Sequence, residues 1–260
     1  MHRFLILCVT FATLLAATSS ARADWGTLTG QFVLDGTAPT PSKVQVTKDQ
    51  QVCGKFGLVD EKLVVNSDNN GIAGIVVWIY LKRGAKAPET APGYAENAEG
   101  DVILNNKDCR FEPHVVLLRT SQKLVVGNLD PVGHNTKIDA VKNVPVNPII
   151  PAGGQETFSF PKEERLPTKV SCSIHPWMTS YVLIKDNPYM AVTDKDGRFA
   201  IKDLPTGKWT FQVWQEASGY VDAVDLDGKK TKWKRGRFDY TVKAGDNEMG
   251  VIKVKPSVFK

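Results

Sequence analysis

Residues 172–178 read Cys-Ser-Ile-His-Pro-Trp-Met: a thiol, an imidazole and a thioether, with two residues between each. The run Lys169–Ser171 before them and Tyr181–Ile184 after them are strand-like, so the three donors occupy a tight turn between two strands. On such a turn they can converge on one point. Pro176 stiffens it by fixing φ and removing a backbone donor. This reading predicts β structure on both sides of the turn.

The rest of the chain agrees with that expectation. Short runs rich in Val, Ile, Phe, Tyr, Trp and Thr recur between clusters of Gly, Pro, Asn and Asp. The expected strands are Thr27–Leu34, Ile75–Leu81, Val115–Leu118, Lys123–Val126, Glu156–Phe160 and Tyr181–Ile184, then Phe199–Ile201, Trp209–Trp214, Phe238–Val242 and Val251–Val254. Turn signals are explicit: SDNNG at 67–71, PAGG at 151–154, DKDG at 194–197 and LDG at 226–228. No long amphipathic helix is legible, and the expected fold class is all-β. Lys82–Gly100, rich in Ala, Pro and Gly, reads as a long loop or junction. A second junction falls at Lys185–Pro188, so a central block of residues 100–187 is set apart.

The chain opens with Arg3, an apolar run from Phe4 to Ala17, and Ala21-Arg22-Ala23. That is the anatomy of a secretory signal cleaved after Ala23, which implies an exported, periplasmic product. Cys8 lies inside the apolar run rather than at its end, which argues against a lipoprotein. No later stretch reaches the roughly 18 apolar residues of a membrane helix; Gly71–Leu81 suits a buried strand. Cleavage lowers the formal charge from +5 to +3. The one basic cluster, Lys229–Arg235, reads as a solvated face, and export argues against a nucleic-acid role.

Processing leaves Cys53, Cys109 and Cys172. An oxidising compartment pairs thiols and leaves one of three over. Cys172 has His175 and Met178 beside it, so the expected disulfide joins Cys53 to Cys109. The free Cys172 would then need the protection that a metal gives.

A mononuclear electron-transfer copper site needs two imidazoles and a thiolate near one plane, with a weak axial thioether. His134, in the loop Asn128–Asn135 after the strand Lys123–Val126, can supply the second imidazole. With His134-Asn135 upstream and Cys172-x-x-His175-Pro176-Trp177-Met178 downstream, the block resembles a cupredoxin, and within cupredoxins amicyanin. Plastocyanin-like relatives put two more residues between the His and the Met. Phe111-x-Pro113, Gly127-Asn128, Pro151-Ala-Gly153 and Phe158 fit the same pattern. The resemblance covers about a third of the chain and implies one type 1 copper per chain. Its ligands would be His134, Cys172 and His175 in the plane and Met178 on the axis, with Asn135 bracing the thiolate. It leaves Trp177 two roles, packing under the loop or bordering an exposed edge of His175 where electrons are exchanged. His114, after Cys109, reads as a structural histidine.

Residues 190–214, MAVTDKDGRFAIKDLPTGKWTFQVW, resemble a carboxypeptidase regulatory-like, or transthyretin-like, β-sandwich, and Gly26–Asp35 resembles its first strand. The resemblance implies that 24–99 and 188–260 form one sandwich into which the cupredoxin-like Greek-key block 100–187 is inserted; two sequential domains fit as well. Asp194–Gly197 lacks the ligands of a calcium loop and reads as a hairpin turn.

Other chemistries fit less well. Zinc takes Cys and His, but Met is a poor zinc ligand. Cys172 and His175 could form a nucleophilic pair, but no oxyanion arrangement is legible. Of four histidines, three survive processing, too few for a trinuclear oxidase cluster or a second all-His copper. The expectation is a non-enzymatic one-electron carrier. Resemblance to amicyanin implies a quinoprotein dehydrogenase as donor and a c-type cytochrome as acceptor. A copper-storage protein and a cell-envelope binding module with a structural or vestigial metal site are the alternatives.

Overall fold

The computed structural model describes residues 25–259. The expected signal peptide, residues 1–23 with Cys8, lies outside the described residues. Within them the chain is all-β, and no helix is long and apolar enough to cross a membrane.

Four sheets stack as four layers, with strands numbered along the chain. The first has the order β14 (Arg198–Pro205), β1 (Trp25–Leu34), β20 (Gly245–Val254), β17 (Ala223–Leu226) and β18 (Lys229–Lys232). The second runs β13 (Met190–Val192), β2 (Val76–Ile79), β15 (Gly207–Gln215) and β16 (Gly219–Tyr220), with β19 (Arg237–Val242) also on β15. The third is β5 (Val115–Arg119), β12 (Thr179–Lys185), β11 (Thr168–Ser171) and β8 (Lys137–Ile138). The fourth is β10 (Gln155–Ser159), β6 (Lys123–Asn128), β3 (Asp101–Lys107) and β4 (Arg110–Glu112). A two-stranded ribbon, β7 (His134–Asn135) with β9 (Ile149–Ile150), lies beside them.

Layers one and two combine strands from both ends of the chain, whereas layers three and four are built wholly within residues 101–185. In the latter pair, β3 runs parallel to β6 and β5 parallel to β12, while the remaining pairings are antiparallel. Sheet neighbours distant in sequence close these two layers into a sandwich, in keeping with the all-β class expected from the sequence.

Strand periodicity explains the stacking. Successive side chains of a strand point to opposite faces. Val77 and Ile79 of β2 join Leu28, Phe32, Phe211 and Ile252 between layers one and two. Val76 and Trp78, on the opposite face, meet Val115, Leu183 and Trp214 between layers two and three. Val182 and Ile184 of β12 then turn to Leu104, Leu124 and Val126 between layers three and four. The VVWI run is apolar throughout because both of its faces are covered.

Each of the ten expected strands overlaps an observed one. The short strands of the third and fourth layers carry too few residues to show a period. Asp194–Gly197 departs from the expected hairpin: β13 and β14 belong to different sheets, so the turn carries the chain between layers. Asp194 Oδ1 accepts the amides of Asp196 and Arg198 there. Gly197 has φ +75°, and a Cβ at that position would lie 2.1 Å from Phe32 O. The basic hairpin β17–β18 forms a sheet edge whose exposed lysines block further strand pairing.

Candidate metal centre

The loop 172–178 joins β11 to β12, which pair Ser171 with Thr179. Its own backbone closes it: Cys172 N donates to Met178 O at 3.3 Å, and Met178 N to His175 O at 2.9 Å. Asn135 completes the brace, its Oδ1 accepting the amides of Ser173 (2.6 Å) and Ile174 (3.3 Å) and lying 3.4 Å from Cys172 Sγ. Asn135 and His134 are adjacent on β7, so one strand brings the brace and an imidazole to the same place.

One ligand atom each from His134, Cys172 and His175 lies within 4.8 Å of the other two, and all three residues are buried. His175 Nδ1 is 3.7 Å from Cys172 Sγ, and the two imidazole centroids are 4.5 Å apart. Met178 is buried in the same apolar cluster as Cys172. Cys53 and Cys109 form a disulfide, while Cys172 is free and buried.

Two carboxylates that the sequence reading missed hold the imidazoles. His134 Nε2 lies 2.9 Å from Asp130 Oδ2, and His175 Nε2 lies 2.8 Å from Asp49 Oδ2. Asp130 also accepts the amides of Asp108 (2.7 Å) and Cys109 (2.9 Å), the left-handed pair at the tip of the β3–β4 hairpin. Asn128 shapes this turn: its Nδ2 donates to Val132 O and Ile150 O, and its Oδ1 accepts the Asp130 amide. With Nε2 engaged on each ring, Nδ1 is the nitrogen left for a metal. His134 Nδ1 is buried and has no hydrogen-bond partner. Buried polar atoms are nearly always satisfied, so an orphan beside a thiol and a second imidazole fits a metal cation.

The electrostatics of the chain without metal agree. Burial works against a charged His134, but Asp130 and the sulfur of Cys172 outweigh it and raise the imidazole to about 9. Burial likewise opposes a Cys172 thiolate, and His134 with the surrounding amides overcomes it, pulling the thiol below its ordinary range. Desolvation lowers His175 despite the opposing pull of Asp49. A thiol and two imidazoles whose proton affinities the fold has shifted thus share one buried space. The softness of that donor set favours copper over harder ions.

Trp177 sits 5.2 Å from the His175 ring, centroid to centroid, and its Nε1 donates to Cys109 O at 3.1 Å. It packs against the disulfide and, with Pro176, lines a cleft of about 520 Å³. The edge of His175 that the resemblance exposes beside Trp177 is not exposed: the residue has no accessible surface, and Asp49 lies against its Nε2. His114 stands apart from the centre, with Nε2 2.8 Å from Glu216 and Nδ1 3.9 Å from Glu61, cross-linking segments distant in sequence. A pattern signal existed for Asp130, an Asn-x-Asp-Pro turn four residues before His134. Asp49, 126 residues from His175, had none.

No protein-family model and no curated protein matches the chain. Several solved structures match part of it. A Cu-containing nitrite reductase from Thermus scotoductus SA-01 is 22% identical over 40% of this chain and 24% of its own, with a TM-score of 0.30. This chain therefore spans about a quarter of that enzyme. A purple cupredoxin from Nitrosopumilus maritimus is 22% identical over 34% of this chain and 100% of its own, with a TM-score of 0.28. A Cu(I) form of an amicyanin variant is 16% identical over 42% of this chain and 98% of its own, with a TM-score of 0.30.

Proposed function

We propose that the chain is a periplasmic one-electron carrier with one type 1 copper. His134, Cys172, His175 and Met178 would hold the ion, the thioether of Met178 as a weak donor. Copper, when bound, would supply reversible one-electron chemistry at a thiolate-ligated centre. The protein supplies the rest. Asp130 orients His134, Asn135 holds the amides of the ligand loop, and Pro176 limits the loop's freedom. The stacked sheets keep these groups dry and fixed. In this reading residues 24–99 and 188–260 form a transthyretin-like sandwich around the copper block 100–187. By the amicyanin resemblance, a quinoprotein dehydrogenase would donate electrons and a c-type cytochrome accept them.

The observation that carries the reading is the orphaned His134 Nδ1, buried in a pocket it shares with a free thiol and a second imidazole. The test is an optical titration of the mature protein with Cu(II), with Cys172→Ser alongside. The expected outcome is an intense visible charge-transfer band saturating at one copper per chain and absent from the variant. Reversible cycling between Cu(II) and Cu(I) separates a carrier from a storage protein. No band, with metal bound only weakly or as zinc, overturns the carrier reading.

A further inference from the structure

Residues 42–60 leave the body of the molecule as a strap. Its base is closed by the Lys43–Val59 bridge and by the bonds Val44 N to Leu58 O and Asp60 N to Ser42 O. Its tip is the single helical turn α1 (Gln50–Cys53), which the Cys53–Cys109 disulfide staples to the β3–β4 hairpin. Val44, Val46, Val52 and Leu58 pack with the disulfide and Trp177 into a small core of their own. The strap therefore has a fixed seat over the ligand loop. From that seat Asp49 reaches His175 Nε2 at 2.8 Å.

Two further details make the contact more than incidental. His175 is completely buried, yet the Asp49 side chain above it retains 31% of its accessible surface. One carboxylate is thus the layer between the imidazole edge and solvent. The staple also joins the two halves of the centre: Cys109, bonded to the strap, donates its amide to Asp130, the carboxylate that holds the other imidazole. Both ring orientations depend on carboxylates tied to the same disulfide.

We infer that the strap is a built-in cap on the metal centre, with Asp49 as the positioning residue that orients His175 and seals its Nε2 edge from solvent and from partner proteins. A partner would then meet the strap and the cleft wall around Pro176 and Trp177, not the imidazole itself. The orienting half of this inference rests on the copper reading of the previous section; the sealing half does not.

The test uses the full mature chain and its Asp49→Ala and Asp49→Asn variants, with folding checked by near-ultraviolet circular dichroism. In the metal-free proteins, modification of histidines by diethyl pyrocarbonate is followed by peptide mass spectrometry. His175 should label slowly in the parent and severalfold faster in Asp49→Ala. Asp49→Asn should stay protected, because the amide oxygen still accepts from Nε2. His134, covered by buried Asp130, is the internal control. In the copper-loaded proteins, chelator competition should show Asp49→Ala losing about 10–100-fold in affinity, the effect of removing a partner of a ligating histidine. The thiolate–copper band should remain. A folded Asp49→Ala protein with parental labelling and parental affinity overturns the inference. If that variant does not fold, rapid labelling of His175 in the parent or in folded Asp49→Asn does so instead. If the parent shows no thiolate–copper band, the functional reading fails, and the labelling rates still decide whether the strap seals His175.

Discussion

Each side chain of the centre is set by a neighbour that has no freedom of its own. Asp130 receives two backbone amides and one imidazole, and the carboxylate, Cys109 and His134 are buried, so its charge is solvated by the fold rather than by water. Removing it leaves three donors without an acceptor and His134 without an anchor. Replacing Asp130 by Ala should destabilise the metal-free protein by about 3 kcal/mol, as expected when one partner of a buried hydrogen-bonded pair is lost. Urea unfolding monitored by tryptophan fluorescence checks this, and a change under about 1 kcal/mol would show that the contacts are dispensable. His134, Cys172 and His175 could be picked out of the sequence because their side-chain chemistry is distinctive and two of them share one turn. Asp49 could not, because an aspartate before a short helical turn looks like any solvent-exposed acid.

At the scale of elements, turns and loops do more here than connect strands. The β3–β4 hairpin turns on Asp108 and Cys109, with φ of 53° and 55°, a conformation that L residues adopt only when surrounding contacts hold them there. Its two amides point at Asp130, so the strained turn is an anion cradle for the carboxylate behind His134. The segment 82–100 forms no strand, as its composition predicted, but it is not loose. Tyr189, at the end of the second junction, accepts the Ala91 amide and donates to Glu89 O at 2.6 Å, with the Tyr94 ring packed edge-on against it. Burial pushes the Tyr189 phenol up to about 12, and burial with the adjacent Glu216 raises Tyr181 as well. A raised phenol means the native state keeps its proton longer than the unfolded chain, whose tyrosines ionise near 10. Stability from this source is complete below pH 10 and falls as pH rises towards 12. Ultraviolet titration should therefore show these two of the six tyrosines ionising only as near-ultraviolet circular dichroism is lost. Reversible ionisation of all six near pH 10 in a folded protein would contradict the packing.

The described residues form one stack of four sheets with a two-stranded ribbon beside it. The layer between the two sandwiches, built on Val76, Trp78, Val115, Leu183 and Trp214, is buried. Neither sandwich could unfold without exposing it, so the two should unfold together. Trp78→Ala should cost about 3–5 kcal/mol, the usual loss for a buried aromatic. The loss should move a single transition seen alike by fluorescence and by far-ultraviolet circular dichroism. Two separated transitions in the parent protein would show that the layer does not couple the sandwiches.

Sequence by itself determined the all-β class, the sites of the main strands and the short list of donor residues. Strand alternation, turn residues and a three-donor loop are local features, readable within about ten positions. Tertiary structure decided what faces what. That β2 is covered on both sides, that the turn 194–197 passes between layers, and that His175 is sealed from solvent all depend on distant segments meeting. A single carboxylate, placed by a disulfide whose cysteines are 56 residues apart, covers the imidazole edge. Periodicity carries no information about such a meeting, because it is set by how the faces of separate strands and loops pack once the chain has closed on itself.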